Sequence, residues 1–195
     1  MIWSLYIATP PSAEKPWSIL AYVDEASPGS LLKVDNTRKS HCWYWSFEEL
    51  GAEFLSHEAG WFLGGLLRST VCKKVAGGAS SMFKHFLQGF FAEDVNFAHG
   101  VVCHGPRGSF LLRASLQTVL ADEVAQCSLW RCKGSSGLKC CMLCANVVGA
   151  RSGLDGGRFV TVECSDVSKF IHHSDATIWQ TVDELAVLEY PGVRP

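Results

Sequence analysis

The sequence predicts an α/β domain, and three observations carry that prediction. Trp17 to Val23 is an almost wholly apolar run of strand length, which places it centrally in a sheet. His41 to Phe47 is a second strand-length run, rich in aromatics. Ser81 to Phe91 instead sets Phe83, Phe86, Leu87 and Phe90 on one helical stripe. At 195 residues, 48% hydrophobic and 18% charged, the chain has enough apolar side chains to bury a core.

The remaining elements follow in order. Residues 1–16 read as an extended lead-in because Thr9 to Pro16 holds three prolines. Asp24-Glu25 ends the first strand, and Ser27-Pro28-Gly29-Ser30 turns the chain. Leu31 to Val34 is expected as a short strand. Glu48 to Glu58 carries Leu50, Phe54 and Leu55 at helical spacing, and a second helix is expected from Trp61 to about Val75 in spite of Gly64-Gly65. Val101-Val102 and Phe110 to Leu112 flank a Gly105-Pro106-Arg107-Gly108 turn as strand pieces. Leu116 to Ala121 fits helix and strand equally. Asp122-Glu123 then opens a further helix, where acidic residues suit the positive end of the helix dipole. Lys133 to Gly137 and Ser152 to Gly157 are loops, Phe159 to Val162 is a short strand, and Ser174-Asp175 caps a last helix over Ala176 to Leu188.

Composition excludes several classes. The formal net charge is −2, with 17 Lys and Arg scattered along the chain, so it lacks the basic footprint of a free-standing DNA-binding protein. The nine cysteines are odd in number and six of them are bunched between Cys127 and Cys164, which fits metal binding or buried thiols better than a secreted disulfide framework. No signal peptide and no membrane span is predicted, because every apolar run is too short. Lys133-Gly134-Ser135-Ser136-Gly137 is not a phosphate loop, since Lys139 is followed by Cys rather than Ser or Thr. Neither a G-x-S-x-G elbow nor an H-E-x-x-H helix is present.

Two residue groups carry chemistry. Cys141 and Cys144 have the two-residue spacing of a metal knuckle, and Cys164 with His172 or His173 completes four soft or imidazole donors for a tetrahedral zinc ion. Cys127 and Cys132 form a rival set with the knuckle. The bland alternative is that these cysteines are small buried hydrophobes. The second group is Asp24 and Asp122, each directly after an apolar run. Strand-end carboxylates project to where open α/β sheets hold ligands, and paired carboxylates from different elements hold the ions of two-metal phosphoryl transfer. Their bland alternatives are a turn start for Asp24 and a helix cap for Asp122. Lys73, Lys74, Lys84 and Arg68 suit phosphate contacts or solvated helix faces.

At these residues the chain resembles the transposase domain of large cut-and-paste DNA elements of the CACTA-like and Plavaka-like groups. Leu20-Ala21-Tyr22-Val23-Asp24-Glu25, Pro28-Gly29-Ser30-Leu31 and Arg38-Lys39 resemble the strand with the first catalytic Asp, the following turn and a His-Lys element. Val119-Leu120-Ala121-Asp122 resembles the strand with the second Asp, and Gly137 to Cys144 the Cys pair that follows it. The turn lacks the Asn of the family pattern. The resemblance implies an RNase H-like mixed sheet flanked by helices, with a small Cys/His zinc-binding insertion. It implies strand cleavage and joining with Mg²⁺ or Mn²⁺ held by Asp24, Asp122 and a later acid, for which Glu184 or Glu189 stands by default. It further implies a DNA partner, a nuclear site of action and a remnant of a protist multicopy family.

The expected organisation is therefore a lead-in over 1–16, an α/β core over 17–130, a Cys/His-rich zinc insertion over 131–174 and a C-terminal helix and tail over 175–195. The expected function is transposase-like DNA strand transfer, inactive if the chain is truncated. The alternatives are a non-catalytic zinc-stabilised domain that binds nucleic acid or protein, and a plain α/β domain without metal. The expected location is intracellular, the chain alone or self-associated as a homo-oligomer.

Overall fold

The apolar run beginning at Trp17 forms β1 (Trp17–Ala26), an inner strand of the four-stranded sheet in the computed structural model of the chain. Residues 2–27, 39–105, 107–130, 137–138, 140–141, 143–154, 156–174 and 176 are described. Along β1 the side chains of Trp17, Ile19, Ala21 and Val23 are buried while Ser18, Leu20, Tyr22 and Asp24 are half-buried, the period of two expected of a pleated strand. The aromatic run becomes β2 (Ser40–Phe47), antiparallel to β1 with Ile19 opposite Phe47 and Asp24 opposite Cys42. β3 (Phe62–Arg68) adds antiparallel to β2 at one edge. After a hairpin of β4 (Val101–Gly105) and β5 (Gly108–Leu112), β6 (Ala114–Ala121) returns parallel to β1 at the other edge.

One face of this sheet carries the core. Trp17, Ile19, Phe47, Phe90, Leu112 and Ala114 form its buried cluster. Helix α4 (Gly78–Phe91) lays its predicted stripe on that face, with Phe90 edge-on to Trp45 at 5.0 Å between ring centroids and to Phe86 at 5.1 Å. Ser18, Leu20, Tyr22 and Asp24 look to the opposite face.

The chain divides into two compact units, Met1–Ala125 and Gln126–Pro195. In the second, β7 (Val147–Val148) pairs in parallel with β8 (Val160–Thr161). Asn146, 6% exposed, donates its amide to the Lys169 carbonyl at 2.9 Å and accepts from the Ile171 amide at 2.8 Å. A buried polar side chain satisfied on both sides ties the segment before His172 to the segment after Cys144.

The structure corrects several sequence expectations. The lead-in is not extended throughout: Ile2–Ala8 forms helix α1, whose Trp3 and Tyr6 pack on Phe110 at 5.4 and 4.8 Å. Glu48 to Glu58 is not one helix but short turns around α2 (Ala52–Leu55), because Gly51 adopts φ +82° and interrupts it. The helix expected from Trp61 to Val75 is β3 followed by the short α3 (Ser69–Cys72). Two glycines remove the helical preference there, and pairing with β2 satisfies the backbone. Leu116 to Ala121 resolves as strand, since parallel pairing with β1 decides what local pattern left open. The expected strand Leu31–Val34, the turn residues Pro28–Leu31, Arg38 and the last helix beyond Ala176 lie outside the described residues.

Candidate functional site

Strand register sets the position of the acids. In the parallel pair Val23 lies opposite Ala121; Asp24 is the next residue of β1, and Asp122 directly follows the end of β6. Asp24 shares a hydrogen bond with the Tyr22 hydroxyl, and the Asp122 charge also acts on that hydroxyl. Tyr22 donates to Asp24 Oδ2 at 2.9 Å, and the Glu25 amide donates to Asp24 Oδ1 at 2.7 Å. This hydrogen bond to Asp24, then burial, then the charges of Asp24 and Asp122 push the Tyr22 hydroxyl above its ordinary pKa. Asp122 also performs its bland role. Its Oδ1 accepts the Ala125 amide at 2.7 Å and so caps α5 (Glu123–Trp130).

Aromatic rings pack beside the acids. Tyr22 lies against Tyr44 at 6.1 Å and against Trp61 at 5.8 Å, and the Trp61 indole donates to the Leu55 carbonyl at 2.9 Å. A hydrogen bond with the Cys42 thiol, burial and the nearby acids raise the Tyr44 hydroxyl pKa as well. Glu25 turns away from this cluster, where Lys39 reaches it at 2.9 Å and the Ser69 hydroxyl at 2.8 Å. A separate apolar cavity of about 590 Å³, lined by Trp3, Trp45, Phe47, Phe62 and Phe110, opens beside the core residues rather than the acids.

The cysteine knuckle is partly assembled. Cys144 is buried, and burial followed by its hydrogen bond with the Cys141 thiol pushes its own thiol up to about 11. Cys144 bridges His172 in antiparallel fashion, with the Ala145 amide on the Ile171 carbonyl at 2.8 Å and the His173 amide on the Leu143 carbonyl at 2.9 Å. That pairing brings the two side chains to one side at the closer of the two antiparallel spacings. His173 Nδ1 is buried without a hydrogen-bond partner among the described residues. The Cys164 thiol instead contacts the Asp166 carbonyl at 3.6 Å. Among the described residues no three His, Cys, Asp or Glu side chains gather into a ready metal cage. Cys132, Lys139, Glu184 and Glu189 lie outside the described residues.

The chain matches no family model, no curated protein and no solved structure. Its function is therefore read from the geometry alone. Two contributors escaped the sequence reading. Tyr22 stands two residues before Asp24, so strand periodicity alone assigns it to the face of the acid. Asn146 has no such signal, because its two carbonyl and amide partners come from a loop more than twenty residues away. Of the other histidines, His85 bonds Gln88 and His104 bonds Ser109, at 2.9 and 2.8 Å, and neither joins the acids. No helix among the described residues is long and apolar enough to cross a membrane.

Proposed function

We propose that the Met1–Ala125 unit is an RNase H-like domain that cleaves or joins DNA strands by divalent-metal phosphoryl transfer. One observation carries this reading: Asp24 and Asp122 directly follow a residue pair in register on adjacent parallel strands. The sheet order β3-β2-β1-β6, antiparallel except for β1 with β6, supports it further. Two carboxylates that follow an in-register pair on adjacent strands suit Mg²⁺ or Mn²⁺, which favour oxygen donors. When bound, such ions polarise the phosphoryl group and stabilise the attacking and leaving oxygens. The chain's own residues hold the carboxylates: Tyr22 and the Glu25 amide fix Asp24, and the Ala125 amide fixes Asp122.

The test is cleavage of single-stranded and supercoiled DNA with Mg²⁺, Mn²⁺ or chelator, using wild type, Asp24→Asn and Asp122→Asn. Asn caps a helix about as well as Asp, so Asp122→Asn removes charge while keeping the cap. The expected result is Mn²⁺-dependent cleavage that both variants lose with unfolding temperatures unchanged. Cleavage that survives both substitutions removes the acids from the reaction.

A second reading rests on a different observation in the other unit. The Cys141–Cys144 thiol contact, the Cys144–His172 bridge and the orphaned His173 Nδ1 support a structural zinc ion on the knuckle. Cys141, Cys144 and one of His172 and His173 would hold it, and the ion would staple the fold rather than perform chemistry. Metal content per chain settles this reading. About one zinc in the wild type, lost in Cys141→Ser with Cys144→Ser, is the expected outcome.

A further inference from the structure

We infer that Tyr22 is the positioning residue of the acid pair, its hydroxyl setting the Asp24 carboxylate for a divalent cation. The inference rests on the reading of Asp24 and Asp122 as ligands. Two carboxylates at neighbouring positions beside adjacent strands repel each other, and a free side chain answers by rotating away. Asp24 is not free to do so. Tyr22 holds Oδ2 at 2.9 Å and the Glu25 amide holds Oδ1 at 2.7 Å, so both oxygens of the group are fixed in one plane.

The hydroxyl is itself held. The Tyr22 ring packs against both Tyr44 and Trp61, and Trp61 is anchored through its indole to Leu55. Rigid aromatic neighbours thus fix the position of a single donor. Each carboxylate oxygen has two acceptor directions, so one accepts Tyr22 while another faces a cation. Asp122 is fixed from its own side by the Ala125 amide at 2.7 Å. The pair is therefore set before any ion arrives. Outer-shell donors of this kind typically account for about ten- to a hundredfold in metal affinity.

The experiment titrates Mn²⁺ into the full chain by electron paramagnetic resonance, with thermal unfolding recorded alongside. Tyr22→Phe removes the hydroxyl and keeps the ring. Tyr44→Phe removes the hydroxyl of the ring that packs on Tyr22, and serves as the control for a loosened sheet face. The expected result is at least about tenfold weaker Mn²⁺ binding in Tyr22→Phe, wild-type binding in Tyr44→Phe and unchanged unfolding of both. Equal affinity for wild type and Tyr22→Phe overturns the inference and leaves the acid-pair reading standing. Equal weakening in both variants also overturns it, since any hydroxyl on that face would then serve. If Asp24→Asn binds Mn²⁺ as the wild type does, or the wild type binds none, the acid-pair reading itself fails and takes this inference with it.

Discussion

Asp24 and Glu25 are chain neighbours with separate tasks. Asp24 lies on the half-buried face with Tyr22, while Glu25 accepts from Lys39 and from Ser69 across the start of α3. Burial works to raise the Glu25 pKa, but the hydrogen bonds from Lys39 and Ser69, with the Lys39 charge, outweigh it and hold the carboxyl below its ordinary 4.5. A carboxylate with a lowered native pKa stabilises the fold fully above its unfolded value. That contribution disappears as pH falls through the lowered value. Glu25→Gln is therefore expected to unfold at a lower temperature than wild type near about pH 7 and to match it near about pH 3. A gap of the same size at both pH values removes the ionised carboxylate from the explanation. The pair is partly exposed, so the effect at neutral pH is about 1 kcal/mol or less. At this scale the adjacency of Asp24 and Asp122 in strand register was legible, because each follows an apolar run. The local contact of the Cys164 thiol was not. Cys164 has a fitting place in the sequence, yet its local turn directs the thiol to the Asp166 carbonyl.

The elements show why apolar content alone misleads. Phe62 to Arg68 is apolar enough for a helix, but it forms β3 and brings Gly64 against the Phe86 ring of α4. A Cβ at Gly64 would overlap that ring, so helix and strand approach closely only with glycine there. Gly89 lies in the interior of α4 with no atom within 4 Å of where its Cβ would stand. The same substitution should consequently have opposite signs at the two sites. Gly64→Ala is expected to destabilise by about 1–3 kcal/mol through overpacking. Gly89→Ala is expected to stabilise by about 0.5–1 kcal/mol through the entropy of the unfolded chain and helix propensity. Denaturant unfolding of both variants checks the pair, and a stabilising Gly64→Ala would disprove the close approach. The stripe of α4 was legible from its helical period, and β1 and β2 from strand-length apolar and aromatic runs. The β6 strand was not, since its identity depends on β1, nearly a hundred residues earlier.

On the scale of the whole molecule, the two units differ in what holds them. Met1–Ala125 buries Trp17, Ile19, Trp43, Phe47, Phe83 and Phe90 among others. Among the described residues of Gln126–Pro195, the buried hydrophobic side chains are Leu129, Cys144, Val147 and Val148. Units of this size commonly rely on a metal, a disulfide or association for part of their stability. The described cysteines are free thiols, and the zinc proposed for the knuckle would act as such a staple. Removing zinc should then act on one unit. With chelator present, amides around Asn146 to Val148 and Ile171 to His173 are expected to exchange rapidly with solvent, while those of β1, β2 and β6 keep their protection. Cys141→Ser with Cys144→Ser should reproduce the pattern without chelator. Protection that is unchanged in both units would exclude a structural zinc. Loss of protection throughout would instead show that the sheet depends on the knuckle, and that the acids cannot be studied apart from it.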